Sequence, residues 1–382
     1  MLLLTIYETN PKGSDMIKRI SSILLVSVCF VLCGIFFFTA GAAEEEPYDG
    51  LMFIAHGGDT AEFDSNTAQA VVSAFNKGAD FVSINIRKNA AGELVLCDRN
   101  KAKAEGDSLA DVLGLIGEDD ILILDFESAI KDEIYAFVKA NGALSSVMLR
   151  INDSAENIND WLNGKDENLQ VVGVYDGFVV FTAVQYIKTL SQSGMTLVQY
   201  QSKNYFNEMF GSFVSKTIFS SDAKAVAATY DPDLCGQRRD SDDGWNELIK
   251  LGFSVIETNN TDAFAAYKKS NKSARNSLEK IYLKAKSIDA EEYNTVSREN
   301  LADAIAITED LLARSFASSD EFQSAASYLT LAIENLALKT GEDTQKGALN
   351  ITFGKVIAAV LVGTAMLAAQ VYTYKMQKNK KK

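Results

Sequence analysis

Histidine is almost missing from this chain: His56 is the only one in 382 residues. Cysteine occurs four times, proline three times and tryptophan twice. Cys29 and Cys33 fall in an apolar run near the N-terminus, which leaves only Cys97 and Cys235 elsewhere. Two cysteines make no disulfide framework, and no Cys/His spacing suited to zinc exists. So little proline beside 47% apolar residues excludes general disorder and describes a packed protein. Basic residues are short as well, with 37 Lys and Arg against 51 Asp and Glu, a net charge of −14. That sign excludes nucleic acid as a partner, because a phosphate backbone recruits Lys and Arg. The length leaves room for one large domain or two smaller ones.

Two stretches depart from the globular pattern. Residues 20–43 carry no charge, follow Lys18 and Arg19, and end in Ala40, Ala42 and Ala43 before three glutamates. This is the plan of a signal peptide, and the run is also long enough to stay as a signal anchor. The tract before it, residues 1–19, is longer than an export signal needs, and Met16 is an alternative start. Residues 356–374 again carry no charge. With Lys355 at their edge they read as a transmembrane helix over 355–374, with a buried core helix as the alternative. The lysine-rich tail 375–382 follows. Basic residues flank both runs on their outer-sequence sides, so the positive-inside rule places both chain ends in the cytoplasm and residues 44–350 outside. That exterior portion holds 49 acidic and 28 basic residues, which favours solubility and disfavours polyanions.

Between residues 50 and 268, short runs rich in Val, Ile and Phe alternate with helical periods. The runs are "LMFIAH", "DFVSINI", "ILILDFE", "SVMLRI", "LQVVGVY", "MTLVQY", "AVAATY" and "FSVIET". Several of the helical stretches between them end in glycine just before the next run, as C-cap chemistry requires. Continuous apolar strands are buried on both faces, hence parallel. Eight such units predict an α/β protein with a closed (β/α)8 TIM barrel, rather than a doubly wound open sheet. Past residue 268 the strands stop, and residues 272–338 show three amphipathic helical periods, a three-helix bundle. Ser297 with Asn300, and Ser319 with Phe322, stand near the expected helix starts. Leu301, Ala304, Ile305 and Leu311 share one apolar face, and Phe322, Ala325, Leu329, Ile333 and Leu336 another. Residues 339–350 are a polar linker.

The stretch from Leu51 to Asp98 resembles the glycerophosphodiester phosphodiesterase family of metal-dependent (β/α)8 barrels. "AHGG" stands where the family has His-Arg-Gly, "SNT" for Glu-Asn-Thr, "GAD" for Gly-Ala-Asp, "SIN" for Glu-x-Asp, and "CD" for His-Asp. "LILDFE" is similar to its third-strand carboxylate segment, and "LGFSVIETNNTDAF" to its closing strand. The resemblance implies a phosphoric diester hydrolase in which two histidines act as acid and base, an arginine binds phosphate and carboxylates hold a divalent cation. His56 keeps the first histidine position, and Cys97 occupies the second. Gly57 takes the place of the arginine, Ser65 that of the Glu before Asn66, and Ser83 and Asn85 those of two metal carboxylates. Asp125 alone keeps a carboxylate at a metal position, one methylene shorter, and Glu127 replaces a lysine. One aspartate with neutral Ser and Asn is a poor cage for a hard cation. Without metal and arginine, little stabilises charge developing on phosphoryl oxygens. Cysteine, with a reference pKa of about 8.5, offers one proton site where imidazole offers two.

The expectation is therefore a membrane-anchored pseudoenzyme with no cofactor, whose ligand contacts come from His56, Gly57, Ser65, Asn66, Ser83 and Asn85. Its rival is a divergent phosphodiesterase of lipid or glycerol metabolism, using His56 and Asp125 with calcium or magnesium. A third reading makes the exterior a structural or adhesion element. It draws on the resemblance of residues 293–336 to the FIVAR module of bacterial surface proteins, with Tyr293, Ser297, Leu301, Ala304 and Leu311 on its first signature positions. Phe322, Ala325, Leu329, Ala332, Ile333 and Leu336 fall on the second, mainly core positions. The partners expected are the cell membrane, through one or two spans, and a cell-wall or surface glycan or protein at the bacterial cell surface. Protease added to intact cells or spheroplasts is expected to digest residues 44–350, and protection of that portion in sealed cells would overturn the topology.

Overall fold

The computed structural model describes residues 50–177, 180–192, 197–203, 214 and 223–339. The two apolar runs, the tract before the first, and the linker and tail from residue 340 lie outside the described residues. Among the described residues no helix is long and apolar enough to cross a membrane.

Nine strands form one sheet: β1 (Met52–His56), β2 (Phe81–Lys88), β3 (Leu94–Leu96), β4 (Leu122–Asp125), β5 (Val147–Ile151), β6 (Gln170–Tyr175), β7 (Leu197–Tyr200), β8 (Lys224–Ala228) and β9 (Phe253–Thr258). Their order is β1-β9-β8-β7-β6-β5-β4-β2-β3, and β1 also pairs with β2. That pairing closes eight parallel strands into a barrel, with β3 added antiparallel on β2. All eight apolar runs of the sequence are barrel strands, and "AAGELVL" supplies the turn and β3. Closure leaves the parallel strands no free edge.

Among the described residues the α-helices are α1 (Ala68–Asn76), α2 (Leu109–Leu113), α3 (Lys131–Ala140), α4 (Ala155–Leu162), α5 (Val180–Gln192), α6 (Asp242–Lys250), α7 (Thr261–Lys286), α8 (Thr295–Leu312) and α9 (Ser319–Glu334). Local chemistry starts several of them, with the side chains of Thr67, Ser108 and Ser154 capping α1, α2 and α4. Gly78 and Gly252 stand at φ +88° and +98° just before β2 and β9, a conformation that turns the chain from helix to strand and that a Cβ would oppose. Ala70, Val71 and Ala74 of α1, Ile134 and Val138 of α3, and Ile158 of α4 are buried. Each larger apolar side chain so buried contributes about 1.5–3 kcal/mol.

The boundary expected between residues 268 and 272 falls inside α7, which runs unbroken for 26 residues. At its start Phe264 packs on Phe53 and Trp245, with ring centroids 5.2 and 4.7 Å apart. At its end Ala285 joins Leu301, Ala304, Leu329 and Ala332 in the core of the bundle formed with α8 and α9. The helix starts lie slightly before the expected ones. Asn294 caps α8 by accepting from the Ser297 N–H, and Ser318 caps α9. Ser318 Oγ accepts from the Glu321 N–H at 3.2 Å, while Glu321 Oε2 accepts from the Ser318 N–H at 2.9 Å. This reciprocal box satisfies two donors that the helix end would otherwise leave open. Ser318→Ala is expected to lower stability by about 1 kcal/mol, read as a shifted urea midpoint with an unchanged slope.

Candidate functional site at the barrel mouth

Side chains alternate across a strand, so residues two apart share a face. The inward positions at one end of the barrel are Ile54, Phe81, Ile123, Met148, Val172, Leu197, Val226 and Val255, a continuous apolar core. Two residues further along each strand the inward positions are His56, Ser83, Asp125, Arg150, Val174, Gln199, Ala228 and Glu257. The strand registers divide these into two layers of four, each drawn from alternate strands as in such barrels. Ser83, Arg150, Gln199 and Glu257 form the inner layer, and His56, Asp125, Val174 and Ala228 the outer. The chain thus changes abruptly from apolar to polar at the C-terminal mouth, where sites in this fold lie.

Glu257 is fully buried and is the hub of the inner layer. The Ser83 hydroxyl donates to its Oε1 at 2.6 Å, and His56 Nδ1 lies 3.0 Å from the same oxygen. Its Oε2 accepts from Arg150 at 2.9 Å. Burial by itself would raise the Glu257 carboxyl, but the Arg150 guanidinium, His56 and Ser83 outweigh it and hold the group down at about 2. Arg150 answers in kind. Its burial would lower it, yet Glu257 and Asp125 keep it more firmly protonated than usual.

An ionised carboxylate only accepts, so the contact at Nδ1 places a proton on that nitrogen. In the neutral ring Nε2 is then an acceptor, and no described residue hydrogen-bonds it. Tyr230 stacks on His56 with centroids 3.5 Å apart and planes 8° from parallel. Its phenol is pushed well above its ordinary value by burial, then by the charge of Glu257, and stays protonated. Asp125, the metal position implied by the resemblance, is bound by Arg99 and lies 3.8 Å from Arg150.

Ser65, Asn66 and Asn85 gather beside this network. Asn66 adopts φ +59°, a left-handed conformation that asparagine tolerates. Its Nδ2 donates to Asp98 and to Ser65 Oγ, and its Oδ1 accepts from the Asn85 N–H at 2.6 Å. Gly57 joins the two groups, donating its N–H to the Ser83 carbonyl at 2.8 Å and accepting from the Asn66 N–H at 2.9 Å. At φ +71° a Cβ there would stand 2.1 Å from Ser65 Oγ, so this backbone excludes an arginine unless Ser65 moves. Cys97 is buried, its sulfur 3.5 Å from the Lys103 carbonyl and 3.9 Å from Arg87, and no bond links it to His56.

The divalent cation implied by the resemblance does not fit these donors. Ser83 gives its proton to Glu257, both Glu257 oxygens are engaged, and Asp125 faces two guanidiniums. Among the described residues no group of three or more His, Cys, Asp or Glu could hold a metal ion. A hard cation needs several free charged oxygens, and here cationic side chains occupy them.

Arg150, Gln199, Tyr230 and Glu257 were not among the residues expected from the sequence. The available signal was a charged or amide letter inside a buried apolar strand, as in "SVMLRI", "MTLVQY" and "FSVIET". Asp240 was missed too. It accepts from Thr258 Oγ1 at 2.9 Å, from Trp245 Nε1 at 2.9 Å and from Thr229. It therefore ties the neighbour of Tyr230 to the neighbour of Glu257.

No family model matches the chain, and no curated protein does. Solved structures of low identity do. A glycerophosphodiester phosphodiesterase from Thermotoga maritima matches at 13% identity and a TM-score of 0.44, over 56% of this chain and 97% of that one. A glycerophosphoryl diester phosphodiesterase from Parabacteroides distasonis matches at 14% and 0.44, over 57% and 87%. An Oleispira antarctica phosphodiesterase in complex with its product sn-glycerol-3-phosphate matches at 11% and 0.43, over 56% and 95%.

Because Glu257 is held low, the stability it contributes is complete above its unfolded value of about 4.3 and is lost as the pH falls through about 2. Glu257→Gln is expected to flatten this acid limb in denaturation curves taken from pH 7 to 2. At pH 7 it should cost roughly 3–5 kcal/mol, since Arg150 loses its closest partner while buried.

Proposed function

We propose that this chain is a membrane-tethered, extracytoplasmic barrel of phosphodiesterase ancestry that binds a small uncharged polar ligand and does not hydrolyse it. The observation that carries this reading is the pairing of the guanidiniums nearest His56 with carboxylates. Arg150 is matched by Glu257 and Asp125, and Arg99 by Asp125. A phosphodiester would arrive with a negative charge and find Arg150 and Arg99 already held by carboxylates, and Arg87 turned onto the Asp98 and Lys101 carbonyls, whereas hydroxyl groups can bond to His56, Ser65 and Asn85. The sequence reading expected a mouth stripped of arginine. Arg150 and Arg99 restore guanidinium groups from other strands and loops, but each stands against a carboxylate. The second histidine position holds Cys97, which leaves His56 without the acid–base partner that the resemblance implies. The two apolar runs and the bundle complete the proposal, as membrane anchors and as a spacer or attachment module at the cell surface.

One observation favours the rival reading. Glu257 fixes Nδ1 of His56 and leaves Nε2 as an acceptor, the arrangement of a general base. A divergent phosphodiesterase would use that nitrogen, with Arg150 or Arg99 released toward phosphate.

Calorimetry on the full chain separates the two. Glycerol and simple glycosides are expected to bind at least tenfold more tightly than glycerophosphodiesters, and His56→Ala to weaken them. No turnover of glycerophosphodiesters is expected with calcium, magnesium or manganese added. Turnover abolished by His56→Ala would establish the rival, as would tight phosphodiester binding.

A further inference from the structure

The inner layer holds one residue that the charge network does not use. Gln199 is fully buried, yet neither its amide oxygen nor its amide nitrogen has a hydrogen-bond partner. Arg150, in the same layer, is also incompletely satisfied. Its terminal nitrogens reach Glu257 and Asp125, but its Nε has no partner. Buried amides are almost always bonded, because leaving them unmet forfeits hydration without return. Leu197 stands two residues earlier on β7, and Val174 and Val226 pair with Gln199 in register. An apolar side chain would suit these neighbours, so the amide is left for something else.

We propose that Gln199 and the Nε–H of Arg150 form the innermost subsite of the mouth, and that this subsite receives a terminal hydroxyl of an uncharged polyol or sugar. The assignment rests on the reading of the mouth as a site for neutral ligands and names the residue that selects them. A hydroxyl both donates and accepts, which matches the amide oxygen on one side and the amide and guanidinium N–H groups on the other. A carboxylate or phosphate is refused because Glu257 shares the layer and already claims Arg150. The outer layer above it carries Val174 and Ala228 on β6 and β8, both buried, and His56 and Asp125 on β1 and β4, whose side chains are 20% and 18% exposed. Two more amides, Gln201 and Asn259, follow just past the ends of β7 and β9.

The test is calorimetry with glycerol and with its 1,3-dimethyl ether on the full chain, followed by Gln199→Leu. Unaltered protein is expected to bind the ether at least tenfold more weakly than glycerol, because both terminal hydroxyls are capped. Gln199→Leu should lose at least tenfold in glycerol affinity and erase the difference between the two probes. Its melting temperature without ligand should be unchanged or higher, since an unmet amide has been removed. If the unaltered protein binds no uncharged polyol, the reading of the mouth fails and this assignment falls with it. If it binds glycerol and the ether alike, or if Gln199→Leu binds glycerol as well as the original chain, the mouth stands and the assignment alone is overturned. The ether comparison needs no variant, so it decides the matter even should the substitution fail to fold.

Discussion

The buried pair of Glu257 and Arg150 is the constraint on which the mouth of the barrel depends. Two opposite charges cannot leave water inside a protein unless each finds the other and the remaining hydrogen-bonding capacity is filled. Glu257 fills it with Ser83 and His56, and Arg150 turns its other terminal nitrogen toward Asp125. Strands β1, β2, β4, β5 and β9 are thereby tied together through side chains as well as through the sheet. The orientation of His56 and the proton on its Nδ1 follow from this knot.

The same knot governs what the proposed site could receive. A site that handles phosphate and metal holds its charges in reserve for the substrate. Here the charges are spent on one another, and a mouth with such internal pairing presents dipoles to a visitor more than net charge. Amides and hydroxyls then become the groups able to discriminate between ligands, which is a different kind of selectivity from electrostatic capture.

Much of the architecture was legible in the letters. The eight barrel strands announce themselves as continuous apolar runs because a parallel strand is buried on both faces, and the frame around His56, Asn66 and Asn85 is local enough to read directly. Arg150 and Glu257 were not legible as a site. They lie 107 residues apart, and His56 lies 201 residues from Glu257. Only the closing of the barrel brings these positions together. The strings that contain them read equally well as plain core strands, because a single polar letter in an apolar run does not say which face it occupies until register is known. The bundle shows the same limit at smaller scale: its apolar faces are evident in the sequence, but the uninterrupted passage of α7 from barrel to bundle is not, since no proline or glycine marks either a break or its absence.

That passage has a mechanical meaning. A 26-residue α-helix rising about 1.5 Å per residue is a rod roughly as long as a small domain is wide. Phe264 fastens one end to the barrel wall and Ala285 the other to the bundle core. With no joint in the rod, a twist applied to the bundle reaches the barrel as torque rather than being absorbed at a hinge. The direction in which the mouth opens is therefore geared to the attitude of the bundle, as a lamp head is to a rigid stem.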